Sequence, residues 1–338
     1  MRLYLFAAAI AAMPLAAAPA AAQGANWRHE ATGISLPRSI GDMSLSREQD
    51  ASGGRGNDVI LQYGIEGTVV TVYVYRSAYP NAAMWFERTR LAMNQHVGAD
   101  AVAAAPRSFT LGGASAPNGL REEIALPGGR ATGVAIAQIG PWMVKLRVTS
   151  ERLDRAAVAE RIDRLLAAFR FANPAPAPHP LTVPAPCGSG ERMRGERLRN
   201  LNERNLAAAS VVGLVALGHA RAAGGGLAAE PSLWCRVTQT GLPVQYGSLY
   251  RLREGSGWVA LVGDSGRAAA ALPNLVPGDV RAVLFASTPS STQVVAAYDG
   301  MPDPDQAIPV ALPVVVGQTQ GVVELSEEVT GGRPRGKD

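Results

Sequence analysis

The sequence predicts an α+β protein of two domains, and three observations carry that expectation. Alternating apolar runs, above all Thr68–Tyr75 (TVVTVYVY), predict an antiparallel sheet in the first half. Apolar stripes at helical spacing on 80–97 and 154–169 predict helices packed against that sheet. A proline-rich stretch at 172–186 then leads into a second half that reads as a long helix followed by short strands, a second α+β domain.

Residues 1–22 read as a secretory signal peptide. Arg2 gives a positive start, Leu3–Leu15 is an apolar run, and Ala20-Ala21-Ala22 before Gln23 is an Ala-x-Ala cleavage site. The apolar core is too short to span a bilayer. With no cysteine near the cleavage site and no twin-arginine pair, the expectation is general secretion without a lipid anchor, and a periplasmic or secreted protein.

The first domain is expected over 23–171. Gly33–Pro37 is an extended segment closed by proline, and Val59–Tyr63 is the next strand. In Thr68–Tyr75, Val70, Val72 and Val74 face one side while Val69, Thr71, Tyr73 and Tyr75 face the other, which predicts a central strand covered on both faces. Pro80 opens a helix to about Val97, with Ala82, Phe86, Met93 and Val97 on one stripe. Strands are expected near Ser108–Leu111, Leu120–Leu126, Thr132–Ile139 and Trp142–Val148. A helix over Asp154–Phe169 follows, burying Val158, Ile162, Leu165 and Phe169.

The opening ATGISLPRSIGDMSLS and the closing WMVKLRVTSERLDRAAVAERIDRLLAAFRF resemble the two ends of PsbP-like (DcrB-like) secreted domains. The closing stretch shares their strand, helix and short aromatic-basic ending, here Phe169-Arg170-Phe171. Ile40-Gly41-Asp42 stands where the family usually has a tryptophan after its proline turn. The resemblance covers under half of the chain. It implies an α/β sandwich and accessory or assembly roles, and it brings no catalytic residue.

Six prolines within 172–186 predict a semi-rigid extended spacer, with His179 in solvent. The second domain is expected over 187–325. Glu191–Arg204, with five Arg and three Glu, reads as a charged helix that continues into the apolar Leu206–Leu217 and ends at Gly224–Gly226. A mostly apolar run of twelve residues is too short to cross a membrane, so the segment reads as a core helix. Docking of 192–217 on a membrane surface or partner helix is the alternative. Strands are expected at Trp234–Thr238, Leu249–Arg253, Trp258–Val262, Val280–Ala286, Gln293–Tyr298 and Ile308–Val316, and a disordered tail over 326–338.

Composition excludes several classes. At 47% hydrophobic and 18% charged residues the chain can bury ordinary cores. Its 32 basic residues include only Lys145 and Lys337 as lysines, and they are interspersed with acids rather than gathered on an aromatic-rich face, so no nucleic acid partner is expected. The sequence calls for no transmembrane helix after the leader.

Cys187 and Cys235 are the only cysteines, and in an oxidising compartment an even pair predicts a structural disulfide. Its loop would contribute about 4 kcal/mol in the chain-entropy treatment.

The candidate chemistries are each incomplete. Gly263-Asp264-Ser265-Gly266 matches the segment around a serine-protease nucleophile, but no histidine follows Ser265, His219 lies in a helical context and His96 in the other domain. A turn after Trp258–Val262 explains the same residues. Asp299, Asp303 and Asp305 could offer oxygen ligands to calcium, yet an EF-hand count from Asp299 meets Pro304 and Val310 where Gly and Glu belong. Glu122 and Glu123 are adjacent on a strand and should face opposite ways, which rules out a shared proton. His29, His96, His179 and His219 lack ligand-like spacing, with His96 expected half-buried beside its helix stripe. Gly224–Gly226 lacks the Lys-Ser/Thr of a phosphate loop.

The sequence therefore predicts no catalytic, cofactor-binding or metal-binding residue. It points to a secreted, non-enzymatic binding or scaffold protein of the cell envelope, with a protein or small-molecule partner. The alternatives are a secreted hydrolase using Ser265 and docking through 192–217.

Overall fold

The computed structural model describes residues 26–98, 100–172, 181, 183–188, 193–199, 234–237, 247–252, 257–274 and 278–325. Among these residues the protein is mostly β, with three antiparallel sheets and three α-helices. This overturns the expected α+β class and its PsbP-like sandwich with packed helices.

The first half builds two sheets. A small one has the order β1-β2-β12, from Trp27–His29, Ile34–Leu36 and Arg170–Phe171. The large one runs β3 (Ser39–Ile40), β4 (Met43–Asp50), β5 (Asp58–Ile65), β6 (Thr68–Arg76), β11 (Trp142–Ser150), β10 (Arg130–Ile139), β9 (Gly119–Leu126) and β7 (Val102–Ala103). β8 (Arg107–Phe109) also pairs with β9.

β6 is central, as its two-faced pattern predicts. Val70, Val72 and Val74 enter one core, with Leu146 and Val148 of β11 and Val158, Ile162 and Leu165 of α2 (Arg155–Ala168). Asp154 caps α2 by accepting the Ala157 N–H at 2.8 Å. Gly133 lets this helix sit close, since a β-carbon there would lie 2.8 Å from Ile162 Cδ1.

The second half builds a seven-stranded meander. Its strands are β13 (Trp234–Arg236), β14 (Ser248–Leu252), β15 (Trp258–Val262), β16 (Arg267–Pro273), β17 (Ala282–Ser287), β18 (Thr292–Tyr298) and β19 (Val323–Leu325), each beside its sequence neighbour. β16 reads RAAAALP, and alanine's strong helix propensity hid it as a strand. Its small side chains suit a sheet covered on both faces. Ala269 and Ala271 lie under α3 (Pro304–Val315), while Ala268 and Ala270 face the first half.

α3 lies where Ile308–Val316 was expected as a strand. The valine-rich composition suggested β structure. The buried set Ala307, Ile308, Ala311, Val314 and Val315 instead has helical spacing. Pro309 and Pro313 lie inside the helix, away from this buried set.

The expected charged helix does not form where it is described. Met193–Arg199 has no helical turn, and Arg197 forms a β-bridge to Tyr298 of β18. The expected apolar helix 206–217, residues 1–22, the tail 326–338 and residues 173–180 of the spacer lie outside the described residues. The end of the spacer pairs with the second sheet: Arg236 N–H donates to the Ala185 carbonyl and Cys187 N–H to the Arg236 carbonyl, both at 2.8 Å.

The two halves share one core. α1 (Ala82–Asn94) is capped by the Asn81 side chain, which accepts the Met84 N–H at 3.0 Å. Every residue from Ala82 to Thr89 is buried. A helix buried all round needs cover on two sides. Val134, Ile136 and Met143 of the large first-half sheet supply one side, and Trp234, Tyr250, Val259, Leu261 and Phe285 of the second-half meander supply the other. Trp85 and Phe86 are at the centre of this layer, each worth roughly 1.5–3 kcal/mol on full burial.

Candidate functional site: the cleft between the two halves

The contact between the halves begins at the turn Gly263–Gly266 that joins β15 to β16. Asp264 Oδ2 accepts from Lys145 Nζ at 3.0 Å, and the Asp264 carbonyl accepts from the same ammonium at 2.7 Å. Lys145, on β11, is 1% exposed, and its Nζ lies 4.1 Å from the Tyr73 ring centroid. Burial lowers the Lys145 pKa, against the pull of Asp264. Burial works against ionisation of Asp264 as well, but Lys145 and Arg88 hold its carboxyl below the usual carboxylate range.

Next to this pair, the Gly266 carbonyl accepts the Ala78 N–H at 3.0 Å. Gly266 has φ +79°, and a β-carbon there would lie 2.7 Å from the Tyr75 ring. A second clamp joins α1 to β13 and β14. Glu87 pairs with Arg236, and the Tyr250 hydroxyl lies 3.3 Å from both Glu87 Oε2 and the Met84 carbonyl. Arg236 follows Cys235, which is disulfide-bonded to Cys187 as expected.

Beside the Asp264 turn the halves leave an open cleft of about 290 Å³. The first half contributes Ala51, Ser52, Arg55 and Asp58, and the second contributes Arg267, Thr288–Ser291 and Val315–Gly317. Asp58 opens β5 and is 5% exposed, yet its Oδ1 has no hydrogen-bond partner among the described residues. Burial pushes its carboxyl up to about 6, opposed by the charges of Arg267 and Lys145. Arg267 likewise buries Nε without an acceptor among the described residues. Among the described residues no ion pair joins Asp58 to Arg267.

Both walls are built from tight turns. Asp50 Oδ1 accepts the Ser52 N–H and Oδ2 the Gly56 N–H, each at 2.8 Å, while Ser52 Oγ accepts the Asn57 N–H at 2.9 Å. Gly53, Gly54 and Gly56 take positive φ, so the chain reverses tightly and presents Arg55 at the surface. Opposite, Thr288 N–H donates to the Ser291 carbonyl at 2.8 Å, and Thr288 Oγ1 accepts the Ser291 N–H at 3.0 Å. The cleft thus combines a buried carboxylate, two guanidinium groups, serine hydroxyls and an apolar flank from Val315 and Val316.

The chain matches no protein-family model and no curated protein sequence.

The other sequence-predicted residues have structural placements. Ser265 lies in the docking turn, whose Asp264 is committed to Lys145. Asp303 caps α3 by accepting the Asp305 N–H at 2.9 Å, and Asp299 Oδ1 accepts the Glu196 N–H at 2.7 Å. No group of three or more candidate metal ligands occurs among the described residues. Glu122 and Glu123 do face opposite ways, Glu122 to Arg90 of α1 and Glu123 to Arg121 and Arg107.

His29 is buried, with Nε2 donating to the Gly56 carbonyl at 2.6 Å and Nδ1 accepting from Thr32 Oγ1 at 2.8 Å. Burial lowers its pKa. His96, expected half-buried, is exposed. His179, His219 and Gly224–Gly226 lie outside the described residues, as does most of 192–217.

Sequence reasoning missed Asp58, Arg55 and Arg267. The one legible signal was Lys145, a lone lysine within the apolar strand WMVKLRV, where a buried ammonium demands an acidic partner. Nothing in the sequence marked Asp264 as that partner across 119 positions.

Proposed function

We propose that the protein is a non-enzymatic binding protein that works outside the cytoplasm, in the periplasm or beyond, and takes a small ligand in the cleft between its halves. The observation that carries the reading is Asp58, a buried carboxylate on the wall of an open cleft with an oxygen unpartnered among the described residues. Unsatisfied buried polar atoms are costly, and a ligand that completes the hydrogen bonds would account for this one. The disulfide supports an oxidising compartment. No helix among the described residues is long and apolar enough to cross a membrane.

The hydrolase reading loses its best support, because the turn holding Ser265 serves the contact between the halves through Asp264 and Gly266. A fluorophosphonate probe should leave Ser265 unlabelled. Thermal-shift screening with amino acids, sugars, nucleotides and organic acids tests the binding reading. The expected result is a ligand that raises the melting temperature of the protein and does so less in Asp58→Asn and Arg267→Gln. A panel in which no stabilisation depends on these two residues contradicts it.

A further inference from the structure

Asp58 and Arg267 reach one cleft from opposite halves, and each buries a polar atom with no partner among the described residues. Arg55 adds a second cation at the rim. A ligand carrying only a cation would satisfy Asp58 and leave the guanidinium groups facing it. A ligand carrying only an anion would satisfy the arginines and meet Asp58 with a like charge. A buried charge is tolerated when it is paired and hydrogen-bonded, so the ligand that completes both walls carries both signs.

The size of the cleft narrows the class. At about 290 Å³ it is at the small end of ligand sites. Val315, Val316, Ala51 and Pro289 offer an apolar flank beside the charges, which suits a short side chain. Resting on the binding reading above, we propose that the cleft takes a small zwitterion of the free amino acid or dipeptide class, with its ammonium on Asp58 and its carboxylate on Arg267 and Arg55.

The charged groups around Asp58 are Arg267 on β16, Lys145 on β11, Asp50 on β4 and Asp264 in the docking turn. Lys145 is already held by Asp264, and Asp50 by its own loop, which leaves Asp58 for the ligand. A proton on Asp58 competes with the ammonium. Affinity should therefore fall as pH drops through about 6.

The test is calorimetric titration of the full oxidised protein with the protein amino acids and dialanine near neutral pH. It is then repeated with the N-acetyl and methyl-ester derivatives of the tightest binder. Each derivative removes one charged contact and should lose about tenfold or more in affinity. Asp58→Asn should erase the preference for the free amine, and Arg267→Gln the preference for the free acid. Arg55→Gln, at an exposed loop tip, is a second carboxylate probe that leaves the core intact and should weaken binding of the parent but not of its ester. Derivatives that bind as tightly as the parent overturn the zwitterion assignment. A sugar or nucleotide that binds in an Asp58- and Arg267-dependent way, with no amino acid or dialanine binding, overturns it while leaving the cleft as a binding site. No binder of any class depending on these residues overturns both.

Discussion

Asp58 has unequal consequences for the folded and unfolded chain. Its carboxyl is pushed up to about 6 when folded, above the ordinary value of 3.8. Between those values the folded protein holds a proton that the unfolded chain has released. The stabilisation from the protonated form is fully present at the acid end and is lost as pH rises through about 6. Asp58→Asn should flatten this slope and raise stability by roughly 2 kcal/mol above neutrality, read by urea unfolding across pH. The Lys145–Asp264 pair behaves in the opposite sense. Asp264→Ala leaves a buried ammonium with only a carbonyl and a ring. Because the Asp264 side chain is itself 41% exposed, the cost should be about 2 kcal/mol rather than the larger value of a fully buried pair. The double variant Lys145→Met/Asp264→Ala should recover part of that loss. The facing of Glu122 and Glu123 was legible from strand alternation alone. The partner of Lys145 was not, because Asp264 is local to a turn whose docking site lies far away in sequence.

At the scale of elements, α1 is the piece on which both sheets depend. Trp85→Ala should cost about 3–5 kcal/mol, since the cavity would open between two sheets that cannot both collapse into it. Reduction of Cys187–Cys235, or its replacement by serines, frees β13 and the chain entering it. Denaturation should show a loss of about 2–4 kcal/mol, and thiol titration should find no reactive cysteine in the native protein. Periodicity placed the strands from Val59 to Val148 and both helices of the first half close to their observed bounds, because each has a clear apolar face. It failed where composition and spacing disagree. The alanines of β16 and the valines of α3 both have propensities opposed to the structure they adopt, and packing of the two against one another decides both.

At the scale of the molecule, the proline-rich stretch reads as a spacer and leaves open whether the two units touch; the halves meet over α1 and at the Asp264 turn. No local pattern encodes that contact. The all-round burial of Ala82–Thr89 is visible only once both sheets are present. The central claim is that the second sheet covers Asp58 and so makes the cleft. Gly266→Ala, which forces a side chain onto the Tyr75 ring, should loosen this cover and speed hydrogen exchange along α1. The most direct measurement is the carboxyl titration of Asp58, followed by carbon NMR in the oxidised protein. A midpoint at about 6 is the predicted result. A midpoint near the ordinary carboxylate value would contradict the account, because Asp58 would then stand in open water with neither half nor ligand over it.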